Sequence, residues 1–342
     1  MRDVTLDNFK FVLITLVVVG HAIEPAIGSF DWARTVYIFI YLFHMPMFAY
    51  VSGVFSSAKI DGAAIRKIIV RLVIPYVFLE TAYSLFDYFA FSREALRISP
   101  LVPYWIMWYM FSLVLWRLLL PIVSHFRFPV ALSVVAGLAC GINHYDYNLS
   151  FSRTFVFFPF FLIGHYYHAW IAESLKRLGA SRLVGGVVIA VALLVLLVLP
   201  NAHEFDVRWL YGSKSYASLG VGWEQGVVYR SLFYAMSILL GVAFLSMIKA
   251  DRGFGTAFGE SSLYIYVLHG FVIKGLLAIG FYSYIDSEWK MAAWVFASLS
   301  LLPALSSRLA KRVAENIMNP LGLSDLLLAR VDARAGVRSS PR

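Results

Sequence analysis

The chain has 342 residues, of which 60% are hydrophobic, 17% are aromatic and 14% are charged, and its formal net charge is +9. A water-soluble domain of this size could not bury so much apolar surface in one core, so the composition indicates a membrane protein. The positive charge does not indicate a nucleic-acid partner, because the basic residues fall between apolar segments rather than on one soluble face.

Ten apolar segments approach the roughly 20 residues that a helix needs to cross the hydrocarbon of a bilayer. They cover residues 9–27, 34–56, 68–91, 104–123, 128–143, 154–171, 183–200, 229–248, 262–281 and 290–306. If the N-terminus is cytoplasmic, most Lys and Arg residues lie in the inner connections. The positive-inside rule therefore predicts an all-α, polytopic bundle of about ten transmembrane helices with both termini cytoplasmic.

The first segment, KFVLITLVVVGH, carries Lys10 and His21 on nearly the same helical face, because each residue turns the helix by about 100°. Asp7 precedes Lys10 by three residues and Glu24 follows His21 by three, which are offsets at which side chains meet. Ionisable groups inside a span are costly to bury, so this stripe predicts a functional site. His21 could take a proton from an alcohol while Glu24 fixes its tautomer. A histidine satisfied by a neighbouring helix is the alternative.

The second segment contains FHMPMFAYVSGVF, in which His44 lies near the middle of the membrane beside Pro46. Proline interrupts the helical hydrogen-bond ladder, and the freed backbone must be satisfied by protein or by a water-filled cavity. We expect a cavity lined by His44 and Ser52. The alternative is an ordinary kinked span with a buried histidine.

The next connection, AAIRKIIVRLVIPY, carries Arg66, Lys67 and Arg71. Such a cluster can be a plain orientation signal, or it can hold the phosphates of an anionic donor that arrives from the cytoplasm. Glu80 and Asp87 follow on one face of the third segment, and the sequence does not show what pairs with them.

The fourth segment opens with YWIMWYM, whose Trp108 and Tyr109 could form part of an interfacial belt or of a carbohydrate platform; the belt is the more common use. His269 lies in the ninth segment. His165 and His168 have helical spacing but lack acidic or cysteine neighbours, so no metal site is predicted. The outer connection over residues 201–226 is either a lid or a solvated linker, and the basic end from Ala329 is predicted to be disordered.

Several of these motifs resemble landmarks of the acyltransferase 3 family of integral membrane O-acyltransferases, and in the same order. The opening helix LDNFKFVLITLVVVGH has the pattern of a basic residue, ten residues and a histidine, and it is followed by FHMPMFAYVSGVF, RLVIPY, WYMFSLVLWRLLLP, FFPFFLIG and SLYIYVLH. The resemblance runs from about Leu6 to Ser307 and is strongest to the fucose 4-O-acetylase-like branch. Lysine at position 10 replaces the commoner arginine and weakens the case for bidentate phosphate binding there.

The resemblance implies a membrane acyltransferase domain over residues 1–307 and a basic cytoplasmic tail over 308–342. It implies ten helices in a bacterial inner membrane, an acyl-CoA co-substrate, usually acetyl-CoA, with no tightly bound cofactor, and transfer to a hydroxyl of a carbohydrate or cell-surface glycan. Together with the reasoning above, it indicates His21 and Glu24 as catalytic residues. The expected donor-binding residues are Lys10, Arg66, Lys67 and Arg71, and the expected acceptor-binding or cavity-lining residues are His44, Ser52, Trp108, Tyr109 and His269.

A multi-pass transporter or flippase with a proton-relay histidine is the alternative function, since buried ionisable residues also mark substrate paths. Transporters are often built from inverted repeats, and the sequence shows no such repeat.

Overall fold

The computed structural model describes residues 3–142, 150–179, 181–199 and 204–322. Across these ranges every regular element is helical and no strand occurs, which confirms the predicted all-α class. The segment from Ala329, which the sequence predicts to be disordered, lies outside the described residues, as do residues 201–203 of the predicted lid.

The α-helices of the described ranges are numbered in chain order. They are α1 (Val4–Ile23), α2 (Asp31–Tyr41), α3 (His44–Val54), α4 (Gly62–Ile68), α5 (Ile74–Ala90), α6 (Trp108–Val123), α7 (Pro129–Ala139), α8 (Phe151–Arg177), α9 (Ser181–Val198), α10 (Trp223–Met247), α11 (Thr256–Glu260), α12 (Ser262–Ala278), α13 (Glu288–Ser298), α14 (Leu301–Leu305) and α15 (Arg308–Met318).

By length and composition, six of the described helical segments can cross a membrane. They are Val4–Ala26, Asp31–Val54, Trp105–Val123, Phe151–Arg177, Ser181–Val198 and Trp223–Met247. A seventh is possible if Glu288–Leu305 and α15, which meet at a bend of 74°, count as one broken span. Helices α7 and α12 are apolar but shorter. The chain is thus a multi-pass membrane protein, while the count of ten spans and the cytoplasmic termini stay predictions.

Helix α1 lies inside the bundle and carries the predicted ionisable stripe. Its first turn is capped by Asp3, whose side chain accepts a hydrogen bond from the Leu6 amide at 3.1 Å. Phe9 and Leu13 are fully buried, and α1 packs against α3, α11 and α12. Because Gly259 has no side chain, α11 can rest directly on the α1 backbone. Packing on several sides explains why so apolar a helix retains charged groups.

The second predicted span is broken rather than continuous, because α2 ends at Tyr41 and α3 begins at His44. Pro46 cannot donate to the Leu42 carbonyl four residues earlier. The Ser237 hydroxyl of α10 donates to that carbonyl instead. The freed backbone at this break is therefore satisfied by protein, whereas the sequence favoured a water-filled cavity there.

The predicted cytoplasmic connection with Arg66, Lys67 and Arg71 is helical rather than a loop. Helix α4 continues through a π-helical segment, Ile69–Val73, into α5. Such widened turns are rare and often occur at functional sites. Here the π segment contacts α6 and contains Arg71, whose side chain is exposed and lines a cavity described below.

Candidate functional site

A cavity of about 160 Å³ lies at the C-terminal end of α1, which the charge distribution predicts to be the outer end. It is enclosed by α1, the α2–α3 break, the start of α6, α8 and the connection before α10. Its polar lining consists of His21, Glu24, Tyr41, His44, Trp105, Trp108, Arg153, Tyr211 and Tyr266. This space is called the outer chamber below.

The His21 ring lines the outer chamber and is bound by the carboxylate of Glu24. Nδ1 of His21 lies 2.6 Å from Oε2 of Glu24. Because a carboxylate only accepts, Nδ1–H is the donor of this hydrogen bond. The Tyr41 hydroxyl lies 3.3 Å from the same nitrogen, and the ring of Trp105 meets the imidazole edge-on at 4.8 Å. Since Nδ1 is protonated, Nε2 holds the free lone pair, which is the form that a general base requires.

The two other histidines that the sequence analysis placed at the site, His44 and His269, have different surroundings. His44 lines the outer chamber, and its Nδ1 donates to the Ile40 carbonyl at 2.8 Å. His269 was expected to line a cavity, but it is fully buried and is not among the lining residues of the chamber. Its ring packs behind that of His21, with centroids 5.3 Å apart, because α12 presses against α1.

A second cavity, of about 490 Å³, lies towards the other end of α1 and is called the inner chamber. Lys10, Arg71 and Arg117 supply its positive charge. Nζ of Lys10 lies 2.6 Å from Oδ1 of Asp7, whose side chain is only 2% exposed. The predicted Asp7–Lys10 pair therefore forms inside the protein rather than on its surface.

The remaining predicted donor residues line neither chamber, whereas Ser52, Trp108 and Tyr109 each line one of the two. Arg66 and Lys67 are exposed and do not line the inner chamber. Ser52 and Tyr109 both line the inner chamber, and their hydroxyl oxygens are 2.7 Å apart. Trp108 lines the outer chamber. His44 and Ser52 thus face different cavities, because they lie on α3 at different depths.

The two chambers meet at a partition of three side chains. Val17, Met45 and Tyr266 line both cavities, and they come from α1, α3 and α12. Val17 lies on the same face of α1 as Lys10 and His21, since the three residues are spaced by seven and four positions. The face of α1 that carries these residues therefore extends from the inner chamber to the outer chamber, and the partition lies between them.

Arg153 and Tyr211 belong to the outer chamber, yet the sequence analysis assigned neither. The Arg153 guanidinium lies 5.1 Å from the Trp108 ring, and its Nε donates to the Tyr211 carbonyl at 3.2 Å. Arg153 precedes an apolar segment and was counted only as an outer charge in the topology. The sequence contains no local signal that brings residue 153 next to residue 21.

The outer connection packs against the chamber, as a lid or binding loop would, rather than extending as a solvated linker. In its described part, Val207, Leu210 and Tyr216 are buried, and Leu210 and Tyr211 line the chamber. The Arg208 side chain donates to Asp206 at 2.9 Å and holds the pKa of that carboxyl below its ordinary value. The stabilising contribution of this contact is present above the unfolded-state pKa and is lost as pH falls through the lowered value.

No group of three or more His, Cys, Asp or Glu side chains in the described ranges is arranged to hold a metal ion. Nδ1 of His168 instead hydrogen-bonds to the Tyr50 hydroxyl at 2.7 Å.

The fold and these cavities define a class, namely a multi-pass membrane protein with a carboxylate-bound histidine in one chamber and a cluster of cations in another. A family model described as an acyltransferase domain matches residues 3–307, so the chain belongs to the acyltransferase 3 family. The family resemblance seen in the sequence is thereby confirmed.

The chain is also similar to two curated relatives called nodulation protein NolL. The protein from Sinorhizobium fredii is 34% identical over 128 residues, which are 31% of this chain and 33% of the relative. The protein from Mesorhizobium japonicum is 28% identical over 184 residues, which are 48% of this chain and 47% of the relative. The matched segments therefore span less than half the length of either relative. No solved structure matches the chain.

Proposed function

We propose that the protein transfers an acyl group, in the first place acetyl, from acyl-CoA to a hydroxyl of a carbohydrate or cell-surface glycan. The reaction takes place in the inner membrane of a bacterium, with His21 as general base. The observation that carries the proposal is the pair of chambers at the two ends of one helical stripe, one lined by cations and the other by a histidine held by a carboxylate.

The inner chamber suits the anionic donor. Lys10, Arg71 and Arg117 can bind phosphate oxygens, and arginine does so with two parallel hydrogen bonds. Arg66 and Lys67 are exposed ahead of Arg71 in the chain and extend the positive charge towards solvent. The acyl thioester at the end of the donor's flexible arm then reaches His21 past the partition.

In the outer chamber, Nε2 of His21 accepts the proton of the acceptor hydroxyl as its oxygen attacks the thioester carbonyl. The tetrahedral intermediate collapses with cleavage of the carbon–sulfur bond, and the departing sulfur takes the proton from Nε2. The ester and the free thiol are the products. Glu24 stabilises the imidazolium that exists between the two proton transfers. The positive charge of Arg153 is placed to stabilise the developing oxyanion.

The test is acyl-CoA consumption by the purified, detergent-solubilised protein, measured as release of free thiol in the presence of glycan. We expect His21→Ala to lower the rate by about 10²-fold or more, because general base catalysis contributes about that much. Glu24→Gln should reduce the rate by a smaller factor, since the imidazole stays in place.

His125→Ala is the matched control, because this exposed histidine lies after α6 and hydrogen-bonds to the Pro121 carbonyl. It should behave like the parent protein. A correctly folded His21→Ala protein with the parent rate would refute the proposal. Movement of glycan across reconstituted membranes without thiol release would favour a transporter instead.

A further inference from the structure

A third cavity, of about 650 Å³, lies beside the outer chamber. It is formed by the last two turns of α5 and by the connection between α5 and α6. Its polar and aromatic lining consists of Ser84, Asp87, Tyr88, Phe91, Ser92, Arg93, Glu94, Arg97 and Tyr104. This space is called the vestibule.

The polar groups of the vestibule are arranged around Asp87. Its Oδ1 accepts a hydrogen bond from the Tyr104 hydroxyl at 2.6 Å, and its Oδ2 accepts one from Nε of Arg93 at 2.9 Å. A carboxylate has about four lone-pair sites and a guanidinium has five N–H donors. Asp87 and Arg93 therefore keep spare acceptors and donors that face the same space.

The vestibule and the outer chamber share the wall made by Tyr104 and Trp105. Tyr104 lines the vestibule, whereas Trp105 lines the chamber and touches the His21 ring. Both carboxylate oxygens of buried Glu80 accept from the Tyr104 amide, at 3.0 and 2.9 Å. Trp105 has a φ of 35°, a strained value that the surrounding contacts must maintain. The wall is thus held in place, with Tyr104 on the side of the vestibule and Trp105 against the His21 ring.

Lys274 of α12 lies against the same wall. Its Nζ is 4.9 Å from the Trp105 ring, 5.6 Å from the Tyr104 ring and 5.7 Å from the Phe91 ring. These contacts join the aromatic side chains of the vestibule to the one that borders the chamber. Cation–π attraction of this kind favours these contacts, so Lys274 bridges an aromatic ring of the outer chamber and two of the vestibule.

The charges of the vestibule identify the class of ligand. Its lining carries two carboxylates, from Asp87 and Glu94, and two guanidinium groups, from Arg93 and Arg97. The formal charges of these four groups cancel. Neutral polyhydroxyl ligands match such alternating donors and acceptors, and their apolar C–H faces pack on aromatic rings. The lining of the inner chamber, by contrast, carries three cationic groups, from Lys10, Arg71 and Arg117.

We propose that the vestibule is the acceptor subsite and binds the sugar residues of an uncharged glycan next to the residue that is acylated. The proposal rests on the proposed acyl transfer, but it makes a separate claim about where the acceptor binds. Asp87 and Arg93 hydrogen-bond to neighbouring hydroxyls, and Tyr104 and Tyr88 supply the flat surface.

The test uses the full-length protein in detergent with two measurements. Tryptophan fluorescence, reported by Trp105 at the wall, follows binding of neutral and of uronic-acid-containing oligosaccharides to the His21→Ala protein, so that binding is measured without chemistry. Steady-state transfer to the best-binding oligosaccharide is then measured with His21 present. We expect neutral oligosaccharides to bind in preference to the acidic ones.

Asp87→Asn should weaken binding and raise KM for the acceptor by about tenfold, which exceeds any fall in kcat, because a hydrogen bond to a charged group is lost. Arg97→Ala should also raise KM. Because Arg97 is exposed, this variant tests the subsite even if Asp87→Asn does not fold. Asp286→Asn is the matched control, because this outer carboxylate pairs with Lys290 at 2.7 Å away from the lining of either space.

Preference for acidic oligosaccharides, or an unchanged acceptor KM in both Asp87→Asn and Arg97→Ala, would overturn the subsite. If the parent protein bound neutral oligosaccharides in an Asp87-dependent way but released no thiol, the subsite would stand and the acyl transfer would fail.

Discussion

The imidazole of His21 is useful because its two nitrogens have different surroundings. Nδ1 is engaged by Glu24 at 2.6 Å, and the ring is held between Trp105 and His269. The side chain remains 14% exposed because it borders the outer chamber. A fixed tautomer with an accessible Nε2 is what deprotonation of a hydroxyl requires. Arg153 places a positive charge on the wall of the same chamber, where the proposed reaction would develop an oxyanion.

We expect Arg153→Met to lower kcat for acyl transfer by about 10²-fold, since removal of one group that stabilises an oxyanion has effects of that size. Arg153→Lys should recover part of the rate because it restores the charge without the planar fork. Thiol release at saturating donor and acceptor is the measurement. Arg208→Met is the control, because Arg208 binds Asp206 in the outer connection and does not line the chamber. Equal rates for Arg153→Met and the parent would remove Arg153 from the mechanism.

At the scale of helices, the interruption between α2 and α3 lies at the wall of the outer chamber. Tyr41 ends α2 and His44 begins α3, and both line the chamber. Pro46 accounts for the break, and Ser237 of α10 satisfies the carbonyl that Pro46 leaves free. The π segment before α5 contains Arg71, which lines the inner chamber.

Ser237→Ala should lower stability, because it leaves the partly buried Leu42 carbonyl without its hydroxyl donor. The expected cost is about 1–3 kcal/mol, seen as a lower midpoint of thermal unfolding in detergent. Ser231→Ala on the same helix is the control, since that exposed hydroxyl donates only to the Val227 carbonyl one turn away in its own helix. A Ser237→Ala protein with the midpoint of the control would show that the break does not depend on this contact.

For the whole molecule, the proposed reaction depends on which chamber faces which side of the membrane. That proposal requires the inner chamber to open to the compartment that supplies acyl-CoA, and the vestibule to the compartment that holds the glycan. The distribution of Lys and Arg predicts that the connection before α4 is cytoplasmic and that the connection between α5 and α6 is external.

This orientation can be tested with single cysteines in a Cys140→Ser background, since Cys140 is the sole cysteine in the sequence. A membrane-impermeant maleimide added to spheroplasts should label Glu94→Cys at once. It should label Lys59→Cys only after the membrane is opened, because both positions are exposed but lie on opposite sides. Labelling in the reverse order would invert the topology and place the donor chamber outside.

The side-chain pairs of the first helix could be predicted from residue spacing alone. The Asp7–Lys10 and His21–Glu24 pairs follow from the helical repeat, which acts over a few residues and is visible in the sequence. Glu80 and Asp87 could be placed on one face, but their partner could not be predicted. It is Tyr104 for both, through its amide and its hydroxyl, and it follows Glu80 by 24 positions and Asp87 by 17.

The sequence by itself determined an all-α membrane protein, since apolar length and helical spacing are local properties, and the order of its motifs gave the resemblance to the acyltransferase 3 family. Only the tertiary structure showed that Arg153, Arg117 and Tyr211 join the site, that His269 packs behind His21 rather than lining either chamber, and that one partition of side chains separates the two chambers. The physical reason is that a cavity forms where several helices fail to fill space, and that depends on how distant segments pack rather than on any one of them.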